Sequence, residues 1–195
     1  MKNRIAIVRG HPDLRGERYS SALADAYAKG ATEGGHAVRT INVARLKFPL
    51  LRTKEEWESG VPPEDILHAQ ETIAWAGHLV IFYPLWLGST PALLKAFLEQ
   101  ALRPGYAIGA VEGGKTWAGL LRGRSARIVV TMGMPALIYR WYFGAHSLKS
   151  LERNVLGMCG IKPIRETLIG NIEGCGAAKR AKWLERLRAL GASAA

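Results

Sequence analysis

Apolar and polar residues follow two different patterns along the chain. Short runs rich in apolar residues predict five strands, at residues 5–8, 37–43, 79–83, 126–131 and 164–169, and the third is apolar on both faces. Between these runs, apolar residues recur every three or four positions, which indicates amphipathic helices. Because the two patterns alternate, the sequence favours βα units wound into one parallel sheet over separate helical and strand halves.

The helical pattern begins after the first strand with Leu23, Ala26 and Tyr27, and the Gly34-Gly35 pair ends that helix. Four more helices are predicted, at residues 65–76, 91–101, 138–159 and 177–190.

Two stretches do not fit either pattern. Residues 47–63 contain three prolines and residues 104–124 contain many glycines. We therefore expect an irregular excursion in the first stretch and a loop in the second.

These elements fit a single α/β domain over residues 1–195. Five strands with interleaved helices in so short a chain predict a doubly wound sandwich, with helices on both faces of a five-stranded parallel sheet. The expected strand order is 2-1-3-4-5.

Composition narrows the class of protein. The chain has 27 Lys and Arg against 16 Asp and Glu, a formal charge of +11. The basic residues are spread along the sequence without interleaved aromatic residues, so we expect a solvated surface or attraction of phosphorylated cofactors rather than nucleic-acid binding. The two cysteines have no metal-binding spacing, and no apolar run is long enough to span a membrane. A cytoplasmic protein without a metal is predicted.

The turn after the first predicted strand leads directly into the first helix. Free N–H groups at a helix start bind phosphate, and Ser20 or Ser21 can add a hydroxyl or cap the helix. Arg18 would provide a bidentate clamp, and His11 lies in the same turn. A phosphate site and a capped helix with a solvated arginine both stay open, and the dinucleotide fingerprint GxGxxG is absent from the turn.

The third predicted strand runs into the loop Pro84-Leu85-Trp86-Leu87-Gly88. Trp86 offers a large flat face, and Gly88 allows the backbone to approach a ligand closely. Doubly wound sheets bind ligands at the carboxyl ends of their strands, where this loop lies. The loop therefore suits a planar ring, with a buried structural role for Trp86 as the alternative.

The fourth predicted strand ends at Thr131, and Gly133 follows it. Tyr139 and His146 are seven residues apart on a predicted helix, so both can face one site. A phenol hydrogen bond supported by an imidazole would stabilise negative charge on a ligand ring. A structural role for His146 is the alternative.

Three groups of residues in these loops form a recognisable pattern. They are His11…Tyr19-Ser20-Ser21-Ala22; Pro84-Leu85-Trp86…Pro91-Ala92-Leu93-Leu94-Lys95 with Arg103-Pro104-Gly105-Tyr106-Ala107; and Thr131…Gly133…Tyr139…Gly144…His146. The pattern resembles that of the flavodoxin-like NAD(P)H:quinone oxidoreductases, which include mammalian quinone reductases, the bacterial modulator of drug activity B type and the quinone reductases of potassium efflux systems. The resemblance covers residues 3–172, and the proline-to-lysine segment is its most specific part.

This resemblance implies a flavodoxin-like homodimer that binds FMN or FAD, with active sites at the dimer interface. In that family NADPH or NADH reduces the flavin and leaves. A quinone or another aromatic acceptor then takes a hydride from flavin N5, which is a ping-pong mechanism.

The resemblance also implies roles for individual residues. His11, Arg18, Ser20 and Ser21 would hold the phosphate end of the cofactor. The residues implied around the flavin ring are Pro84, Leu85, Trp86, Leu87, Gly88, Thr131 and Gly133. Tyr139 and His146 would stabilise the reduced ring, and Tyr106 would contribute to a substrate pocket.

The chain departs from the family pattern in two main places. Mammalian members have Gln-Trp-Phe-Gly where this chain has Trp86-Leu87-Gly88-Ser89, and the chain lacks the carboxyl-terminal extension that helps larger members hold the adenine half of FAD. Both departures favour FMN, with FAD as the alternative. The rival interpretation of the whole chain is a flavodoxin-like regulatory subunit that binds a partner protein and has little or no turnover.

Overall fold

The computed structural model describes residues 3–15, 18–110 and 117–194. Seven strands lie in this part of the chain: β1 (Arg4–Arg9), β2 (Ala37–Asn42), β3 (His78–Pro84), β4 (Ile108–Ala110), β5 (Trp117–Gly119), β6 (Ser125–Thr131) and β7 (Ile164–Ile169). Five of them form a parallel sheet in the order β2-β1-β3-β6-β7. This confirms the predicted order 2-1-3-4-5, with the short β4 and β5 standing outside the sheet as an antiparallel pair.

Seven α-helices accompany the strands over the same residues. They are α1 (Tyr19–Glu33), α2 (Lys54–Glu58), α3 (Glu64–Trp75), α4 (Ala92–Ala101), α5 (Ala136–Trp141), α6 (His146–Lys149) and α7 (Ala177–Ala192). A 3₁₀ turn at Val43–Arg45 follows β2, and a π-helix at Ser150–Leu156 continues α6.

Both faces of the sheet are covered by helices, as the sequence predicts. One core joins Ile5, Ile7 and Phe82 of the sheet to α1 and α7. The larger core joins the other face to α3, α4, α5, α6 and the π-helix. Every residue of β3 is buried, which is the expected burial of a central parallel strand.

Two glycines allow α1 and α7 to pack closely. A Cβ added at Gly191 would lie 2.1 Å from the carbonyl oxygen of Tyr27, and one at Gly30 would lie 1.9 Å from that of Arg188. Any larger residue at these positions would push the helices apart, because backbone atoms cannot rotate away as side chains do.

The predicted helix over residues 138–159 is not continuous. The structure divides this stretch into α5, α6 and the π-helix, with a break at Gly144 and Ala145, whose φ angles are 65° and 48°. Left-handed backbone cannot continue an α-helix, and two such residues in succession redirect the chain. The expectation of one helix carrying both Tyr139 and His146 is therefore wrong.

The two stretches expected to be irregular contain short elements. The excursion at residues 47–63 holds α2, whose first turn is capped by Thr53, since Glu56 N donates to Thr53 Oγ1 at 3.1 Å. The expected loop at 104–124 holds β4 and β5, while residues 111–116 lie outside the described residues. Strands of three residues are too short to leave an alternating pattern in the sequence.

No helix in the described ranges is long and apolar enough to cross a membrane. Cys159 and Cys175 are both buried and unpaired. Burial raises the pKa of the Cys159 thiol to about 11, which leaves it without thiolate character at neutral pH.

We expect Gly191→Ala to lower the free energy of unfolding by about 1–3 kcal/mol, because the added methyl group overlaps the Tyr27 carbonyl. Urea unfolding measures the change. Gly174→Ala is the matched control, since no atom lies within 4 Å of a Cβ there. A Gly191→Ala variant as stable as the control would show that α1 and α7 are not in close contact.

Candidate active site

The three loops predicted to form a site leave the sheet from neighbouring strands at one edge. Gly10 N donates to Phe82 O at 2.7 Å, and Leu85 N donates to Thr131 O at 2.8 Å. These bonds tie the first loop to β3 and the second loop to β6. The loops therefore converge at the carboxyl ends of β1, β3 and β6, where doubly wound sheets bind ligands.

A carboxylate that the sequence analysis did not single out organises the first loop. Asp13 accepts hydrogen bonds from both Arg15 and Arg18, the latter through Nε at 2.8 Å. Hydrogen bonds from Arg15 and Arg18 hold the pKa of Asp13 well below its usual range. Arg18 is thus already placed in the loop, held by an internal anion.

His11 links the first loop to the second. Its Nδ1 accepts a hydrogen bond from Asp13 N at 3.0 Å, and its ring meets the Trp86 ring edge-on with centroids 5.8 Å apart. Burial and the nearby Arg18 charge lower the pKa of His11, so the imidazole is neutral at pH 7. With Nδ1 as acceptor, the proton resides on Nε2.

The start of α1 has features of an anion site. Arg18 is the N-cap residue and its side chain does not cap the helix, so the expectation of a Ser20 or Ser21 cap is wrong. Ser20 is only 5% exposed, and its Oγ has no hydrogen-bond partner within the described residues. A buried hydroxyl without a partner costs free energy, which an oxyanion would recover.

The second loop is a tight turn that projects a leucine. Trp86 and Ser89 exchange two backbone hydrogen bonds of 2.9 Å, and the residues between them, Leu87 and Gly88, have φ angles of 47° and 73°. Left-handed backbone at both central positions is typical of a type I′ turn, which favours Asn and Gly. Leu87 is fully exposed and Trp86 is 48% exposed, so the turn presents apolar surface to a ligand.

The third loop is held by its neighbour across the sheet. Thr131 is buried at the end of β6, and the backbone of Met132 bonds to both Ile169 and Ile172. Gly133 is exposed. Thr131 and Gly133 are therefore at the predicted edge, next to the second loop.

Tyr139 and His146 have different surroundings. Tyr139 is buried, and its hydroxyl is bonded to Ser147 Oγ at 2.7 Å and accepts from Leu148 N at 3.3 Å. His146 is exposed at the start of α6 and lies against Gly144, where a Cβ would be 2.7 Å from its Nε2. The structure thus exposes His146 at the surface and buries Tyr139 next to it.

A cavity of about 690 Å³ lies beside the second loop, which we call the acceptor pocket. Its lining includes the side chains of Trp86, Leu87, Lys95, Leu98, His146 and Val155. Its mostly apolar walls and volume suit a small aromatic ligand. Lys95 and Val155 were missed by the sequence analysis, because a helical pattern shows which residues share a face but not which faces enclose a cavity.

Tyr106 does not line the acceptor pocket. Its hydroxyl donates to the carbonyl oxygen of Gln70 in α3 at 2.5 Å, and burial raises its pKa to about 12. The structure gives this phenol a packing contact between α3 and the segment after α4. The position of Tyr106 therefore indicates a structural role rather than the substrate-pocket role that the resemblance implies.

Comparison with known proteins agrees with this architecture. A family model described as a flavodoxin-like fold matches residues 3–190. The chain belongs to the flavodoxin-like fold family. Among family relatives, it is 28% identical over 170 residues to an uncharacterised NAD(P)H oxidoreductase of Haemophilus influenzae, covering 85% of this chain and 83% of the relative.

Two solved structures share the fold. An NAD(P)H:quinone oxidoreductase from Methanothermobacter marburgensis is 25% identical, with all of both chains covered and a TM-score of 0.81. An FMN-dependent NADH-azoreductase from Bacillus anthracis, solved with FMN, is 17% identical, with 98% of each chain covered and a TM-score of 0.75.

We expect Leu87→Asn to raise the free energy of unfolding by about 1 kcal/mol, because asparagine adopts left-handed backbone more readily than leucine. Chemical unfolding of the ligand-free protein measures this. Leu50→Asn is the control, since Leu50 is also exposed but its φ is not positive. Equal effects of the two substitutions would contradict strain at Leu87.

Proposed function

We propose that the chain is a flavin-dependent NAD(P)H:quinone oxidoreductase. The observation that carries the proposal is the convergence of three loops at the carboxyl ends of β1, β3 and β6. There the first turn of α1 holds the Ser20 hydroxyl, which has no partner among the described residues, and the second loop exposes the Trp86 ring. The oxidoreductase names of the relatives support it. In the net reaction NAD(P)H, a proton and a quinone give NAD(P)⁺ and a hydroquinone, in two half-reactions of a ping-pong cycle.

The phosphate end of the cofactor fits the first loop. Ser20 offers a hydroxyl that has no partner among the described residues, and Ser21 is in the same helical turn. Ser21 N and Ala22 N donate to Arg18 O, whereas the first amides of α1, at Tyr19 and Ser20, have no carbonyl one turn earlier in the helix. Arg18 can turn from Asp13 to a phosphate, and the neutral His11 can donate from Nε2. These four residues are the ones the family resemblance implies.

The ring end fits the second and third loops. Bound flavin supplies a ring that accepts a hydride equivalent from NAD(P)H and passes it to an acceptor. The residues proposed to line it are Pro84, Leu85, Trp86, Leu87, Gly88, Thr131 and Gly133. Leu87 and Gly88 place their amides at the turn tip, where backbone N–H groups can donate to ring oxygen and nitrogen atoms.

His146 and Tyr139 have separate proposed roles. His146 lies on the wall of the acceptor pocket and can donate a hydrogen bond to a ring that carries negative charge. Tyr139 acts at one remove, because its hydroxyl holds Ser147 on the same pocket wall. It is therefore a positioning residue rather than one that contacts the ring.

The finer assignments follow from charge and exposure. We propose FMN over FAD, because the residues proposed to hold phosphate all lie between His11 and Ser21, and because Trp86-Leu87-Gly88-Ser89 departs from the mammalian pattern. Exposed apolar side chains at Leu87, Trp141 and Tyr142 are better covered than left in water, which supports a homodimer. Two unpaired cysteines fit the reducing cytoplasm.

The decisive experiment is an absorption spectrum of the protein after incubation with FMN or FAD and removal of free flavin. We expect bound FMN, bleaching on addition of NADPH or NADH, and recovery of colour with menadione. A protein that binds neither flavin contradicts the proposal. Tight flavin binding without menadione turnover would instead support the regulatory-subunit interpretation.

We expect Ser20→Ala to weaken FMN binding about tenfold or more, since a hydrogen bond to a charged phosphate is lost. Stability without flavin should not fall, because Ser20 Oγ gives up no bond within the described structure. Fluorescence titration measures the affinity. Riboflavin, which has no phosphate, should bind both proteins equally, and Ser193→Ala on the remote end of α7 is the control variant. Equal weakening for riboflavin would place Ser20 elsewhere than at the phosphate.

A further inference from the structure

A second cavity adjoins the acceptor pocket, and we call it the tail groove. The tail groove has a volume of about 450 Å³ and lies between α4, the end of the π-helix and the excursion at residues 47–63. Lys95, Leu98 and Val155 line both cavities. The two spaces therefore adjoin at these three side chains.

The walls of the tail groove are apolar. Its inner surface is formed by Leu98, Leu102, Ile108, Val155 and Met158, and Trp57 of α2 closes one side. Leu98, Leu102 and Ile108 are buried, whereas the polar lining residues are exposed: Arg52, Thr53, Lys95, Glu99 and Asn154. The buried part of the lining carries no charge, and the exposed Lys95 is already paired with Glu99. The tail groove therefore suits a hydrocarbon chain better than part of NAD(P)H.

The excursion that closes the tail groove is fixed to α4 and the residues after it. Gln100 Nε2 donates to Pro49 O at 2.8 Å, and Arg103 Nη1 donates to Glu56 O at 3.0 Å and Gly60 O at 2.6 Å. The wall containing Leu51 and Trp57 is thus held before any ligand arrives. A preformed groove binds a flexible chain at a lower entropic cost than one that must be ordered.

We propose that the tail groove binds the aliphatic side chain of a quinone whose ring occupies the acceptor pocket. The preferred substrates are then quinones with an isoprenoid or alkyl tail rather than bare rings. This inference rests on the proposed function, because it assigns the substrate class of the same site. A quinone without a tail would fill only the acceptor pocket and leave the apolar surface of the tail groove exposed to water.

Two quinones with one ring test the proposal: 2,3-dimethoxy-5-methyl-1,4-benzoquinone, which has no tail, and its 6-decyl derivative. Each buried methylene contributes about fourfold in affinity, so we expect kcat/KM to be at least about tenfold higher for the decyl compound, mainly through KM. Turnover of the tailless quinone without a preference for the decyl compound overturns the tail groove alone. Turnover of neither quinone contradicts the proposed function itself.

Met158→Glu introduces a charge into the tail groove at a position that is 47% exposed, so the fold should tolerate it. We expect the decyl-to-tailless ratio of kcat/KM to fall at least about fivefold, while Met158→Leu keeps it. Leu50→Glu is the control, because Leu50 is 61% exposed and lines neither cavity.

Leu51→Glu is the second variant should Met158→Glu not fold. An unchanged ratio in the charged variant overturns the proposal. So does an equal loss with both quinones accompanied by a change of oligomeric state on gel filtration, since the tail groove would then be a contact between copies.

Discussion

The backbone hydrogen bonding of the parallel sheet is the constraint on which the site depends. Neighbouring strands are held about 4.8 Å apart, and the bonds from Gly10 to Phe82 and from Leu85 to Thr131 extend this spacing past the strand ends. Gly10 makes this possible, because a Cβ there would lie 2.7 Å from Leu94 Cδ2 and 3.0 Å from Phe82 O. Each loop therefore leaves the sheet from a fixed point, and main-chain hydrogen bonds determine where the side chains of the candidate site begin.

The central strands β1, β3 and β6 could be predicted because burial on both faces leaves a direct trace in the sequence. All of β3 is buried, so its apolar run has no polar interruptions, and the helices on either side show the usual periodicity. The site was predictable to the same extent. Loops at the carboxyl ends of such strands converge whatever their sequence, so His11, Ser20, Trp86 and Thr131 could be grouped from their position alone.

Features that depend on single backbone angles or distant contacts could not be predicted. Nothing in an apolar pattern distinguishes Ala145 with a φ of 48° from an ordinary helical alanine, so the break before His146 was missed. The course of the excursion depends on Arg103. Its buried guanidinium donates to carbonyl oxygens of the excursion, which are more than forty residues away in the chain. The segment Arg103-Pro104-Gly105-Tyr106-Ala107 is part of the family pattern, but only the folded chain reveals which carbonyl oxygens Arg103 contacts.

The Asp13 carboxylate already occupies the arginine side chains of the first loop, so an anion from solution would have to displace it. Arg15 and Arg18 are both held by it, and its low pKa keeps it ionised across the physiological range. An incoming oxyanion must therefore compete with the Asp13 carboxylate for the Arg18 guanidinium. Asp13 has the advantage of a very high local concentration, because it belongs to the same loop. Monovalent salts in solution cannot match that competitor, and only a ligand that also satisfies the Ser20 hydroxyl and the helix amides has the advantage. At the proposed phosphate site, this competition would favour a phosphate group over monovalent anions such as chloride.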